Sequence, residues 1–195
     1  MSKSDRRDTR TNNRNEALLD AAATLFSTQG FRATSMRDIA RAAGMLPGSI
    51  YYHYPSKDDL LLAIYESGVT QISEIFDAAV VAEHDPWVRL ETGTAALIRA
   101  VTEESAYTRV IFKVTPEDVP AYREELIAER DRFEDRFKAL IEDLPLKRWV
   151  DPQLLRLLLL GAGNHAQLWF SSEGSRSAAE ISNQFCRFVR ESVEK

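Results

Sequence analysis

A chain of 195 residues with 44% hydrophobic content holds enough apolar material for a packed core, which excludes an intrinsically disordered protein. Its net charge of −5 hides a division: residues 1–57 carry nine Lys/Arg against five Asp/Glu (+4), whereas residues 58–195 carry sixteen against twenty-five (−9), so the front alone offers a basic footprint for a polyanion. A single cysteine, Cys186, excludes an internal disulfide and reads as a core residue in a reducing compartment. The charged first residues lack an apolar core region, so no secretory signal is expected, and the most apolar stretch, 154–170, is too short and too interrupted to span a bilayer, so a cytoplasmic protein is expected.

Residues 1–13 contain Lys3, Arg6, Arg7 and Arg10 among Ser, Asp, Thr and Asn, with no apolar residue after Met1. Such a segment cannot bury itself, and a disordered basic tail is expected, either a DNA-contacting arm or a solvated end. A first helix follows, with Asn15 as a candidate cap. Leu18, Leu19, Ala22, Leu25 and Phe26 fall at helical spacing, and Gly30 ends it.

Ser35 is placed to cap a second, short helix in which Asp38 favours the positive end of the dipole. Met36, Ile39, Ala40 and Ala43 form its apolar stripe. Gly44 can take the left-handed conformation that turns the chain sharply toward another helix. That next helix is expected to open at Pro47. Ile50 holds it inward, which leaves Pro47, Gly48, Ser49, Tyr52 and His53 at outward or end positions, where small residues admit a groove and polar groups reach phosphates or base edges. Tyr51 and Tyr54 read as core aromatics. Ser56 caps the following helix, and Lys57 beside its exposed N–H groups makes a phosphate clamp.

The body reads as helices throughout. One long helix is expected from Ser56 to about Val81, another from Pro86 to about Glu104, a short apolar piece from Tyr107 to Val114, and a charged helix from Ala121 to Leu144 whose mixed charges are a solvated face. Asp151 caps a helix with Pro152 in its first turn. Leucines at 154, 155 and 157–160 surround nearly all of it, so it needs cover on more than one side. A last helix spans Ser177 to Glu194. These two C-terminal helices, meeting their symmetry copies, would form a four-helix homodimer seam.

The run from Asn15 to Leu60 resembles the N-terminal domain of the tetracycline-repressor (TetR) family of bacterial transcriptional regulators. The resemblance rests on G-F-x-x-T-S at 30–35, I-A-x-x-A-G at 39–44, G-S-I-Y-Y-H-Y at 48–54 and P-S-K at 55–57. It implies an all-α fold: a three-helix helix-turn-helix head over 14–60, joined by a long helix to a helical-bundle ligand-binding and dimerisation body over 61–195. It further implies that Thr34 or Ser35, Tyr52, His53 and Lys57 touch phosphates and that Pro47, Gly48 and Ser49 face bases. Leu46 and Pro47 depart from the family pattern, which usually has a small polar and often a basic residue there.

The function expected is a ligand-responsive, dimeric repressor on a palindromic operator in double-stranded DNA. A small apolar or amphipathic inducer, with a fatty acyl derivative as one candidate, would release it. Tyr107, Phe112, Asn164, His165 and Trp169 are candidate ligand contacts, although a dimer-seam role for Asn164 and His165 and a core role for Trp169 compete. His53, His84 and His165 stand far apart without a partnering motif, so no metal or other cofactor is expected. Gly161-Ala162-Gly163 follows no strand and is no dinucleotide fingerprint, and no nucleophile–base spacing argues for an enzyme. The alternative is a helical sensor or binding protein that does not act through operator DNA.

Overall fold

The computed structural model describes residues 3–102, 105–171 and 173–195, with side chains from residue 13 onward. The described residues form helices α1 (Lys3–Gln29), α2 (Met36–Ala42), α3 (Lys57–Val80), α4 (Pro86–Thr102), α5 (Ala106–Lys113), α6 (Arg123–Glu142), α7 (Pro152–Asn164), α8 (Ala166–Trp169) and α9 (Ala178–Val193). Short 3-10 turns lie at Ile50–Tyr52, Pro116–Asp118 and Pro120–Tyr122.

Helix α1 begins upstream of the expected cap. Neither Gly nor Pro interrupts residues 3–29, so the helix runs on from Lys3 where a disordered tail over 1–13 was expected, and Asn15 lies inside it. Met1 and Ser2 fall outside the described residues. Gly30 ends it as the sequence implies, with φ +92, and a contact the sequence does not announce adds to this: the Lys113 ammonium donates to the Ser27 carbonyl at 2.7 Å, placing positive charge at the negative end of the dipole.

The expected division at residue 60 concerns function; packing groups the chain otherwise. One compact unit comprises Met1–Gly68 with Ser105–Ile127, and the other Val69–Glu104 with Ala128–Lys195. In the first, Leu18, Phe26, Ile39, Ile50, Leu60, Leu61 and Ile64 are fully buried, and Phe31 meets Phe26 edge-on at 5.2 Å. Helix α5 belongs here. Burial raises the Tyr107 pKa, helped by the bond its hydroxyl donates to Asp20 at 2.8 Å. Gly68 lets Ile111 and Tyr107 approach so closely that an added Cβ would sit 2.6 Å from Ile111 Cδ1.

The second unit is organised on α4, which Asp85 caps by accepting from the Trp87 and Val88 N–H groups. Trp87, Leu90, Ala96, Leu97, Ile98, Ala100 and Val101 are buried. Two glycines bring neighbours close: Gly93 faces the Phe76 ring and Gly163 faces Leu97, each with room for hydrogen alone. Phe76, Phe133 and Phe137 form an aromatic cluster with centroids 5.0–6.1 Å apart. Ser182 donates to the Glu91 carbonyl at 2.6 Å, and beside it Cys186 is buried, which pushes its thiol up to about 11. Asp151 caps α7 as expected, and α7 stops at Asn164, so the stretch to Trp169 is two helices and not one.

Candidate nucleic-acid interface

The turn after α2 carries the helix-turn-helix. Ser35 accepts from the Asp38 N–H at 3.2 Å while the Asp38 carboxylate accepts from the Ser35 N–H at 3.2 Å, a reciprocal capping box; the Ser35 hydroxyl, which also donates to that carboxylate, and then the Ser35 N–H hold Asp38 below its usual carboxylate pKa. At the other end Gly44 sits at φ +65, and two bonds close the helix: Met45 N–H to Ala40 O at 2.8 Å and Gly44 N–H to Arg41 O at 3.2 Å. This is a Schellman closure. A Cβ on Gly44 would meet nothing, so the need for glycine there is conformational and not steric.

The element that follows is shorter than the helix expected from Pro47. Only Ile50–Tyr52 is helical, and in the 3-10 form. Ser49 N–H bonds to Leu46 O at 2.9 Å and His53 N–H to Ile50 O at 3.0 Å, both three-residue steps. The reason is local: Gly48 and a run of aromatic residues are poor helix formers, and Pro55 forbids continuation. Ile50 is completely buried and anchors the element. Leu46 is 78% exposed and Tyr52 91%, with Pro47 and Gly48 also exposed and Ser49 and His53 half-buried. Tyr51, expected in the core, is 52% exposed, while Tyr54 is half-buried.

Two residues assigned to phosphates are engaged internally. Thr34 is buried, and its hydroxyl donates to Gly30 O at 2.9 Å. Lys57 donates from Nζ to the carbonyls of Phe31 (2.8 Å) and Thr34 (3.0 Å), and it rests on the Phe31 ring at 4.4 Å. Its ammonium therefore clamps the α1–α2 loop to the start of α3. Ser56 caps α3 as expected, accepting from Asp59 N–H at 3.1 Å. Sequence reasoning passes over Arg37, exposed in the first turn of α2 with no ion-pair partner among the described side chains. The signal is there to be read: it is a cation two residues from the capping Ser35.

The five ligand candidates divide between the units. Tyr107 and Phe112 lie on α5 in the first. Asn164, His165 and Trp169 lie at the α7–α8 break in the second, where His165 Nδ1 is 3.0 Å from Gly161 O and Trp169 meets Phe185 edge-on at 6.0 Å. Two cavities of the second unit are lined by other residues. One, of about 540 Å³, lies between α6 and α7 with Glu134 and Arg156 in its wall; the other, of about 640 Å³, has Arg99, Thr102 and Phe170.

The model of bacterial regulatory proteins of the tetR family matches residues 18–64, and that of the tetracyclin repressor-like C-terminal domain matches residues 83–193. The chain belongs to the TetR family. Its relatives are transcriptional regulators and not enzymes, and as a TetR-family protein it is a DNA-binding, ligand-responsive regulator that works as a dimer. The HTH-type transcriptional repressor KstR2 of Rhodococcus jostii (strain RHA1) is 28% identical over 181 residues, covering 90% of this chain and 89% of the relative. Among solved structures, AibR in complex with isovaleryl coenzyme A and operator DNA superposes with a TM-score of 0.75 at 26% identity, covering 90% of this chain and 97% of that one. The ketosteroid transcriptional regulator KstR2 of Mycobacterium tuberculosis shares the fold, with a TM-score of 0.72 at 22% identity over 93% of this chain and 95% of that one. Among the described residues no helix is long and apolar enough to cross a membrane.

Within this TetR-family head, Lys57 and Tyr52 are expected to behave differently. Lys57→Ala strands two backbone carbonyls and should lower the unfolding free energy by about 1–2 kcal/mol in urea denaturation. Tyr52→Ala, on a bare ring, should stay within about 0.5 kcal/mol of wild type while weakening DNA binding.

Proposed function

We propose that this chain is a repressor that occupies a palindromic operator as a dimer and leaves it when an acyl thioester or a similar amphipathic molecule binds the helical body. The observation that carries the reading is the 46–52 element, held by buried Ile50 between a Schellman turn and the Lys57 clamp, whose Leu46, Pro47, Gly48 and Tyr52 stand exposed on the basic part of the chain. The acyl class draws support from the isovaleryl coenzyme A in the AibR complex and from the apolar body. Pro47, Gly48 and Ser49 are proposed to face bases, and Ser35, Tyr52, His53 and Arg37 to face phosphates. Thr34 and Lys57 then act by shaping the loop between α1 and α2. We place the protein in the cytoplasm, where its operator lies.

Two further surfaces fit this reading. On α7, Leu155, Leu159 and Leu160 are buried while Leu154, Leu157 and Leu158 are exposed, with exposed Leu168 on α8 and Phe188 on α9. Water-exposed leucines on the C-terminal helices are what a homodimer seam covers. In α1, Lys3, Arg6, Arg7, Arg10 and Arg14 follow one another at one-, three- and four-residue steps. At 3.6 residues per turn their positions share one stripe about 100° wide, and positions 5 and 8, both Asp, fall on the opposite side. Such a stripe suits a phosphate backbone.

The deciding measurement is titration of the purified protein against the DNA flanking its own gene, with isovaleryl and longer acyl coenzyme A thioesters as competitors. Saturable binding released by a thioester is expected; saturable binding that no thioester releases would overturn the ligand class, and no binding at low salt would favour a sensor that does not act on an operator. In sedimentation, Leu158→Glu should yield a folded monomer with at least about tenfold weaker operator binding, because the dimer's second head is lost with the seam. A variant that remains dimeric would remove α7 from the seam. Replacing Lys3, Arg6, Arg7 and Arg10 by Gln should flatten the dependence of log K on log salt by about 0.9 for each phosphate that is no longer neutralised. An unchanged slope would mark the stripe as merely solvated.

A further inference from the structure

The stretch from Met45 to Tyr54, MLPGSIYYHY, contains no Arg, Lys, Asn, Gln, Asp or Glu. Guanine is read in the major groove chiefly by Arg or Lys on O6 and N7, and adenine by Asn or Gln on N6 and N7. Neither kind of side chain stands on the element that presents itself outward. None of the polar groups that do stand there offers a bidentate pair: the Ser49 hydroxyl donates to Leu46 O at 2.8 Å, His53 is half-buried, and the exposed Tyr51 and Tyr52 carry one hydroxyl each. The most prominent aliphatic group is Leu46, 78% exposed in the turn that leads the element, beside exposed Pro47 and a Gly48 with open space around it. An aliphatic side chain held in water at this position gains by meeting an apolar surface, and the apolar group on base edges in the major groove is the thymine C5-methyl.

We propose that Leu46, flanked by Pro47, is a specificity-determining residue that recognises thymine C5-methyl groups in the operator, so that this protein reads methyl pattern on an element that lacks the side chains for bidentate hydrogen bonding. The inference rests on the operator reading above and concerns the chemistry of that same surface. Arg37 on α2, facing phosphates, adds affinity without altering the role of Leu46.

The test replaces each thymine of a bound operator, one symmetric pair at a time, by deoxyuracil, which removes the methyl and keeps every hydrogen-bonding group. Wild type should lose about three- to tenfold in Kd at one or two pairs. Leu46→Ala should bind the thymine operator more weakly and no longer distinguish thymine from uracil at those pairs, whereas Leu46→Met should keep the distinction. Unchanged helicity and thermal midpoint show that the variants fold, as expected for so exposed a residue. Equal affinity of wild type for every uracil operator, or full discrimination retained in Leu46→Ala, overturns the proposal and leaves the operator reading intact. Failure of wild type to bind any duplex overturns both.

Discussion

The Lys57 ammonium, bonded to the carbonyls of Phe31 and Thr34, is the interaction on which the head depends. The whole helix-turn-helix lies between residue 34 and residue 57, a closed excursion whose two ends this one side chain ties together. Loop-closure entropy would otherwise let α2 and the 46–52 element drift with respect to α1 and α3. Inside the excursion, the Ser35–Asp38 box and the Schellman bonds at Ala40 and Arg41 fix the short helix at both ends, and Ile50 drives the exposed element home. The lysine that the resemblance assigns to a phosphate is also an internal strut.

That difference marks how far the sequence is legible. Ser35, Gly44, Ser56 and Asp151 act on backbone groups within a few residues, so their caps and turns can be read from spacing alone. The partners of Lys57 stand 23 and 26 residues away, and those of Lys113 and Tyr107 stand 86 and 87 away, and no periodicity announces them. The same holds for Thr34, whose hydroxyl turns back onto Gly30. The length of the recognition element is hidden for a different reason. Pro47 announces a helix opening, whereas Gly48 and the aromatic run each weaken that helix only a little in isolation and, with Pro55 barring any continuation, leave a single 3-10 turn in combination. Helix α1 shows the converse, since polar composition argues for disorder while the absence of Gly and Pro leaves the helix free to continue.

The ligand candidates are the least legible part. Aromatic and polar residues in apolar helices look alike whether they bind a small molecule, join two helices or face a second subunit. Tyr107 is engaged with Asp20, and Trp169 meets Phe185 edge-on near a helix break, so each already has a structural use. The leucines of α7 are plainer, because six of them within seven positions cannot all turn one way, and the structure leaves three bare.

Cys186 gives the experimenter an unplanned advantage. It is the sole thiol of the chain, it is buried, and burial pushes its pKa up to about 11, so its thiolate is scarce at neutral pH. Maleimide or nitroxide reagents will react far faster with an exposed thiol. A cysteine introduced at exposed Ala17 on α1 would therefore be the favoured labelled position in each subunit, and pulsed electron-resonance distances across the dimer could follow the spacing of the reading heads.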